Sequence, residues 1–188
     1  VVSAWAHSLG VCFGQVKTDE KSNEITAIPE LLELLDLKGM IITIDAMGCQ
    51  KKIVEKIAEK EAEYVISLKG NQQSIHRDVK EFFEHPCDDA YCQCYNIQRG
   101  EYSIEIGHGR IEKRTCYLCS NIDWLSEKNE WANLNGVGML VCERTVKKTG
   151  KKSVEQRYFL TSLKDVQKAA FAMRAHWGIE NNLHWVLD

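Results

Sequence analysis

The sequence predicts an α/β fold: a mixed sheet flanked by helices, with a β-rich insertion before the last helix. Three observations predict it. Short β-branched runs alternate with helical segments through residues 1–86. The pattern then turns to strands and turns from 87 to 163. Residues 164–188 read as one final helix. Strand, helix, strand, helix, strand is the pattern of a sheet with crossover connections.

Each element has its own warrant. Val1 to Ala6 and Val11 to Lys17 flank Ser8-Leu9-Gly10, a hairpin signal. Ser22-Asn23-Glu24 opens a helix whose apolar face is Ile28, Leu31, Leu32, Leu34 and Leu35, with Pro29 near its first turn and Gly39 at its end. Met40 to Ile44 is an apolar, β-branched run that reads as a buried strand. A second helix runs from about Gln50 to Lys60, with Ile53, Val54, Ile57 and Ala58 inward. Tyr64 to Leu68 is another short buried strand, stopped by Lys69-Gly70-Asn71. Gln72 to Glu84 is a third helix, closed by His85-Pro86. Beyond Cys87 come strands at Tyr102–Ile106, Ile111–Leu118, Gly138–Arg144 and Gln156–Thr161, with a small helix near Trp124. Gly107-His108-Gly109-Arg110 reads as a hairpin turn. Ala169 to Met173 then favour helix strongly.

Composition excludes several classes. The 188 residues are 44% hydrophobic and 27% charged, as in an ordinary globular domain. No apolar run approaches the roughly 18 residues that span a bilayer, and no secretory signal is visible, so a cytoplasmic protein without a membrane partner is expected. A net charge of −3 argues against a bulk polyanion binder. Local basic faces remain available at Lys147-Lys148 with Lys151-Lys152, and at Arg110 with Lys113-Arg114. Acidic sites that hold divalent metals also lower net charge.

There are eight cysteines. Without a secretory signal, reduced thiols are expected rather than a disulfide framework. Cys87, Cys92, Cys94 and the pair Cys116-x2-Cys119 raise a structural zinc site, but only that pair has zinc-like spacing. The competing reading is small core residues on strands.

Asp45 is the most pointed single residue. It follows the run Ile41 to Ile44 at the carboxyl end of a strand, where open α/β sheets place their ligands. It is therefore either a metal ligand or a cap for the next helix. On the last helix, His176, Glu180 and His184 recur at i, i+4 and i+8 and share one face, which Asp188 continues. Arg174, Trp177 and Asn181 lie on an adjoining stripe. Two carboxylates from separate elements, Asp45 and Glu180, suit Mg²⁺ or Mn²⁺, with water and phosphate as further ligands. A solvated polar helix face is the alternative. There is no Walker loop and no Gly-x-Gly-x-x-Gly.

Four segments carry a resemblance: Lys21 to Pro29, Thr43-Ile44-Asp45-Ala46-Met47-Gly48-Cys49-Gln50, Leu68-Lys69-Gly70-Asn71-Gln72, and His176 through Asp188. In this order they resemble the H-repeat-associated proteins, bacterial insertion-sequence transposases of the D-D-E type often found beside Rhs elements. The resemblance covers essentially the whole chain.

It implies an RNase H-like core in which 1–86 is the N-terminal part, 87–163 a β-rich insertion or extension, and 164–188 the core helix carrying the glutamate. By motif, Asp45 corresponds to the second aspartate and Glu180 to the glutamate, both catalytic and both metal ligands. Lys69, Asn71, Arg174, His176 and His184 are candidate DNA or phosphate contacts. The family's first aspartate precedes the stretch that opens this chain, so the first strand is expected to be absent here. This piece by itself is then expected not to catalyse transposition.

The implied function is metal-dependent cleavage of DNA phosphodiesters followed by strand transfer. Its partners would be double-stranded transposon ends and target DNA, within a homo-oligomer on the bacterial nucleoid. The alternatives are a non-catalytic relic, a zinc-stabilised DNA-binding module, or an RNase H-like nuclease outside transposition.

Overall fold

The computed structural model describes residues 2–17, 24–85, 89–107 and 109–179. Its elements run β1 (Val2–Ala6), β2 (Val11–Val16), α1 (Glu24–Leu34), β3 (Ile41–Ile44), α2 (Lys51–Glu59), β4 (Glu63–Leu68), α3 (Gln73–Glu84), α4 (Asp89–Cys94), β5 (Ile97–Gly107), β6 (Arg110–Cys119), β7 (Gly136–Val146), β8 (Lys152–Thr161) and α5 (Val166–Ile179).

Two sheets form. β1 and β2 pair antiparallel, and α1 packs against them. A six-stranded mixed sheet has the order β3-β4-β8-β7-β6-β5. β3 and β4 are parallel with α2 as the crossover, whereas β4 through β8 to β5 are antiparallel. Among the described residues, β1 and β3 each have a neighbouring strand on one side only.

Helices cover both faces, which explains why β4 reads as a continuous apolar run: Tyr64, Val65, Ile66 and Leu68 are all buried. On one face, α2 contributes Ile53, Val54 and Ile57, and α3 contributes Ile75, Val79, Phe82 and Phe83. On the other face, α5 contributes Ala169, Ala170, Ala172 and Met173 against Val65, Cys116, Leu118, Leu140 and Phe159. The small alanines let the helix lie close to the sheet. Each large aliphatic side chain so buried contributes about 1.5–3 kcal/mol. Gly138 is required where it is, because a Cβ there would lie 2.0 Å from the Phe159 ring.

Two expectations need correction. Pro29 lies inside α1, in its second turn, because the helix already spans Glu24. Residues 89–94 are helical, within a stretch read as strands and turns. The small helix expected near Trp124 is a 3-10 turn at Lys128–Glu130. The strand-rich stretch joins the earlier strands in one sheet: β8 pairs directly with β4, from Val65↔Thr161 to Leu68↔Tyr158.

That pairing sets the shape of the molecule around Asp45. Ile44, Ile66, Leu160, Val137, Cys119 and Ile97 form one row across the sheet. β3 leaves the sheet after this row. β5 and β7 run in the same sense and continue for about ten residues more. On β8, Tyr158–Thr161 are buried while Lys152–Arg157 are exposed. β5 to β8 thus extend past the Asp45 end of the sheet as a four-stranded arm.

Candidate active site at the end of strand β3

Asp45 answers the question the sequence left open by doing one job with one oxygen. Its Oδ1 accepts from the backbone N–H of Met47 at 3.0 Å and of Gly48 at 3.4 Å, capping the 3-10 turn Ala46–Gly48. No contact to its second oxygen is seen among the described residues, Asp45 joins no ion pair there, and the residue is exposed. A hard, outward carboxylate oxygen is the donor type that Mg²⁺ and Mn²⁺ take. Gly48 has a steric reason: a Cβ there would lie 2.2 Å from Ile44 Cγ2. The run Asp45-Ala46-Met47-Gly48 is therefore a unit in which the glycine lets the turn fold back onto the strand.

The loop after β4 holds that turn in place. Asn71 Nδ2 donates to the Ala46 carbonyl at 2.7 Å, and Gln72 Nε2 donates to the Cys49 carbonyl at 2.8 Å. Cys49 is fully buried, and burial pushes its thiol up to about 12. Asn71 thus acts on the backbone beside Asp45. Lys69 is exposed on the same loop, at the carboxyl end of β4 and so at the same end of the sheet as Asp45.

From the opposite direction, α5 reaches β3. His176 Nδ1 lies 3.2 Å from Thr43 Oγ1. Thr43 lies on β3, and Asp45, one residue past the strand's end, keeps extended backbone (φ −71°, ψ 178°), so strand alternation puts the two on the same face. Earlier on the helix, Gln167, Lys168 and Phe171 line a cleft with Ile41. The helix therefore advances along β3 in the strand's own direction, from Ile41 toward Asp45.

Arg174 is turned elsewhere. It pairs with Glu105 of β5 at 3.3 Å. Glu180, His184 and Asp188, like Asn181 and Cys87, lie outside the described residues. Among the described residues no three His, Cys, Asp or Glu side chains converge as a metal site.

The zinc-like pair is separated by strand geometry. Cys116 and Cys119 sit three apart on β6, an odd spacing that sends them to opposite faces. Cys116 packs in the α5-side core, Cys119 in the other. They cannot share one ion.

Spacing alone did not single out Thr43, although its period-two relation to Asp45 was available. Gly48 and Asn71 stood inside recognised motifs, but their roles depend on contacts that no spacing reveals.

A protein-family model described as "Transposase DDE domain" matches residues 2–188. "Putative transposase YncI" of Escherichia coli O157:H7 is 43% identical over 194 residues, covering 100% of this chain and 48% of that protein. "H repeat-associated putative transposase YhhI" of Escherichia coli K12 is 42% identical over 193 residues, covering 100% of this chain and 50% of its own length. "H repeat-associated putative transposase YbfD" of the same strain is 44% identical over 126 residues, 66% of this chain and 47% of that protein. The chain spans about half the length of the curated relatives it matches. No solved structure matches it. The chain belongs to the transposase DDE domain family.

Proposed function

We propose that the Asp45 end of the sheet is the metal-dependent phosphoryl-transfer site of a DNA transposase, with Asp45 and Glu180 as its catalytic carboxylates. The observation that carries this reading is the contact between His176 and Thr43. One helical turn, from His176 to Glu180, advances about 6 Å. Two strand residues, from Thr43 to Asp45, advance about 6.6 Å. The two advances are alike, so the contact between His176 and Thr43 supports pairing Glu180 with Asp45 in one site.

The fold supports the RNase H-like assignment in three ways. β3 and β4 are parallel across a helix, an antiparallel hairpin precedes them, and a late helix packs on the face where Asp45 lies. The one-sided edges of β1 and β3 suit a sheet in which a further strand joins them.

Divalent Mg²⁺ or Mn²⁺ held by these carboxylates would stabilise charge on the attacking and leaving oxygens of a phosphodiester. The overall chemistry is substitution at phosphorus. Water forms a new P–O bond as the P–O3′ bond breaks, and its proton passes to the leaving 3′-oxygen. The freed 3′-hydroxyl then forms a bond to a target phosphorus as that phosphodiester's own P–O3′ bond breaks. Asn71 and Gln72 keep the Asp45 turn in position, and His176 orients the end of α5. Lys69 and His184 are proposed phosphate contacts at this end, and Arg174, paired with Glu105, a phosphate contact on the β5 side. Double-stranded DNA is the proposed substrate, and a homo-oligomer the acting form.

Titration of the chain with Mn²⁺, followed by electron paramagnetic resonance, tests the site. Bound Mn²⁺ should be lost in both Asp45→Asn and Glu180→Gln and kept in Asp36→Asn. Equal binding by all four proteins would refute the assignment.

A further inference from the structure

We infer that the distal arm formed by β5 to β8 is a second contact surface for duplex DNA, one that grips the phosphate backbone about one helical turn from Asp45. This rests on the reading of the protein as a DNA-processing enzyme.

The first observation is reach. Val137 lies in the row that ends at Ile44, and Val146 lies nine residues further along β7. At about 3.3 Å per strand residue, the tip stands about 30 Å beyond the Asp45 end. This is close to one turn of B-form DNA, about 34 Å.

The second is construction. The two hairpin tips are tied together: Lys147 N–H donates to the Gly109 carbonyl at 2.8 Å. The β7–β8 turn is closed by Val146 N–H to Lys151 O at 2.9 Å and Gly150 N–H to Val146 O at 2.8 Å. Gly150 takes φ +66°, a conformation suited to glycine. A tied pair of turns offers its side chains on a fixed platform.

The third is charge. Lys147, Lys148, Lys151 and Lys152 are all exposed, and no ion pair to them is seen among the described residues. Behind them, on the α5-side face, four arginines share two carboxylates. Glu112 pairs with Arg110, Arg114 and Arg144, and Glu105 pairs with Arg114 and Arg174. That face is the one to which Thr43 and Asp45 point. In a chain of net charge −3, a basic stretch on the only arm described beyond the Asp45 end is a local concentration of positive charge. Lysines of this kind hold phosphate without reading bases.

The test is binding of a fluorescent 30-base-pair duplex by the full 188-residue chain, in EDTA, across a salt series. In Lys147→Gln/Lys148→Gln/Lys151→Gln/Lys152→Gln, affinity at low salt should fall at least tenfold. The slope of log K against log salt should fall by about 2–3, since each phosphate that a lysine neutralises adds about 0.9 to it. Lys38→Gln/Lys80→Gln/Lys164→Gln/Lys168→Gln removes the same charge from exposed lysines elsewhere and should change affinity less than threefold. Wild-type affinity in the tip variant, an equal fall in the control, or no duplex binding by the wild type would each overturn the inference. Because EDTA removes metal, failure of the Asp45 site would appear instead as absent Mn²⁺ binding with duplex binding intact.

Discussion

Thr43 and His176 stand 133 positions apart in the chain and meet at 3.2 Å. Their contact joins the strand that ends in Asp45 to the helix that leads to Glu180. It is the described point at which α5 is registered against β3 by a polar contact, one residue pair before the proposed carboxylates. Replacing the hydroxyl isosterically, Thr43→Val, should cost about 1 kcal/mol of stability. Because it loosens the helix position, it should also weaken Mn²⁺ binding severalfold. A thermal melt and a Mn²⁺ titration check both effects. Unchanged Mn²⁺ affinity would mean that Thr43 does not position the helix for the metal.

Asn71 is expected to behave as a positioning residue. Its 2.7 Å bond to the Ala46 carbonyl is partly buried, so Asn71→Ala should cost about 1–2 kcal/mol. Mn²⁺ affinity should fall while duplex affinity in EDTA stays within twofold of wild type. Loss of duplex binding instead would make Asn71 a phosphate contact.

Glu112 controls the arm. Burial opposes its ionisation, but the hydrogen bond from Arg144 and the charges of Arg114, Arg144 and Arg110 outweigh it and hold the carboxyl below its ordinary value. A carboxyl depressed in the folded state stabilises the fold above its unfolded value, about 4.3. That contribution is lost as pH falls through the depressed value. Amide protection in 103–114 and 142–155, measured against the intrinsic exchange rate at each pH, should therefore fall below about pH 4. Glu112→Ala should remove this pH dependence and cost about 1–2 kcal/mol, since it removes the carboxylate that accepts from Arg144 and Arg114. Identical exchange in the variant at pH 7 would contradict the role.

The thiols should differ sharply in reactivity. Burial pushes Cys116 up to about 12, as it does Cys49, whereas Cys12 and Cys94 are exposed. Alkylation at pH 8 followed by mass spectrometry should modify Cys12 and Cys94 at least tenfold faster than Cys49 and Cys116, since the thiolate is the reactive form. Comparable rates would mean that the cores on both faces of the sheet open readily.

Much of the framework was legible from local pattern. The strands around Ile42 and Val65, the helices around Val54 and Val79, and the hairpin at Gly10 follow from apolar periodicity and turn residues. The pairing of β8 with β4 was not legible, because it joins Thr161 to Val65 across 96 positions and no local signal encodes a partner. α4 escaped notice because its six residues, beside the Cys87 boundary, are too short to show a helical period. At the site, Asp45 was visible as a carboxylate ending an apolar run. Its split between capping and an open oxygen depends on the fold of Ala46–Gly48. The role of Asn71 depends on a carbonyl 25 residues earlier in the chain.

Sharing of one divalent ion by Asp45 and Glu180 is tested most directly by replacing that ion with Fe²⁺. Ascorbate and peroxide then generate hydroxyl radicals at the bound iron, and mass spectrometry maps the backbone cuts. Two clusters of cuts are expected, at 43–48 and 178–182, both lost in Asp45→Asn. Cuts confined to 92–119, or a pattern unchanged by Asp45→Asn, would contradict a shared ion.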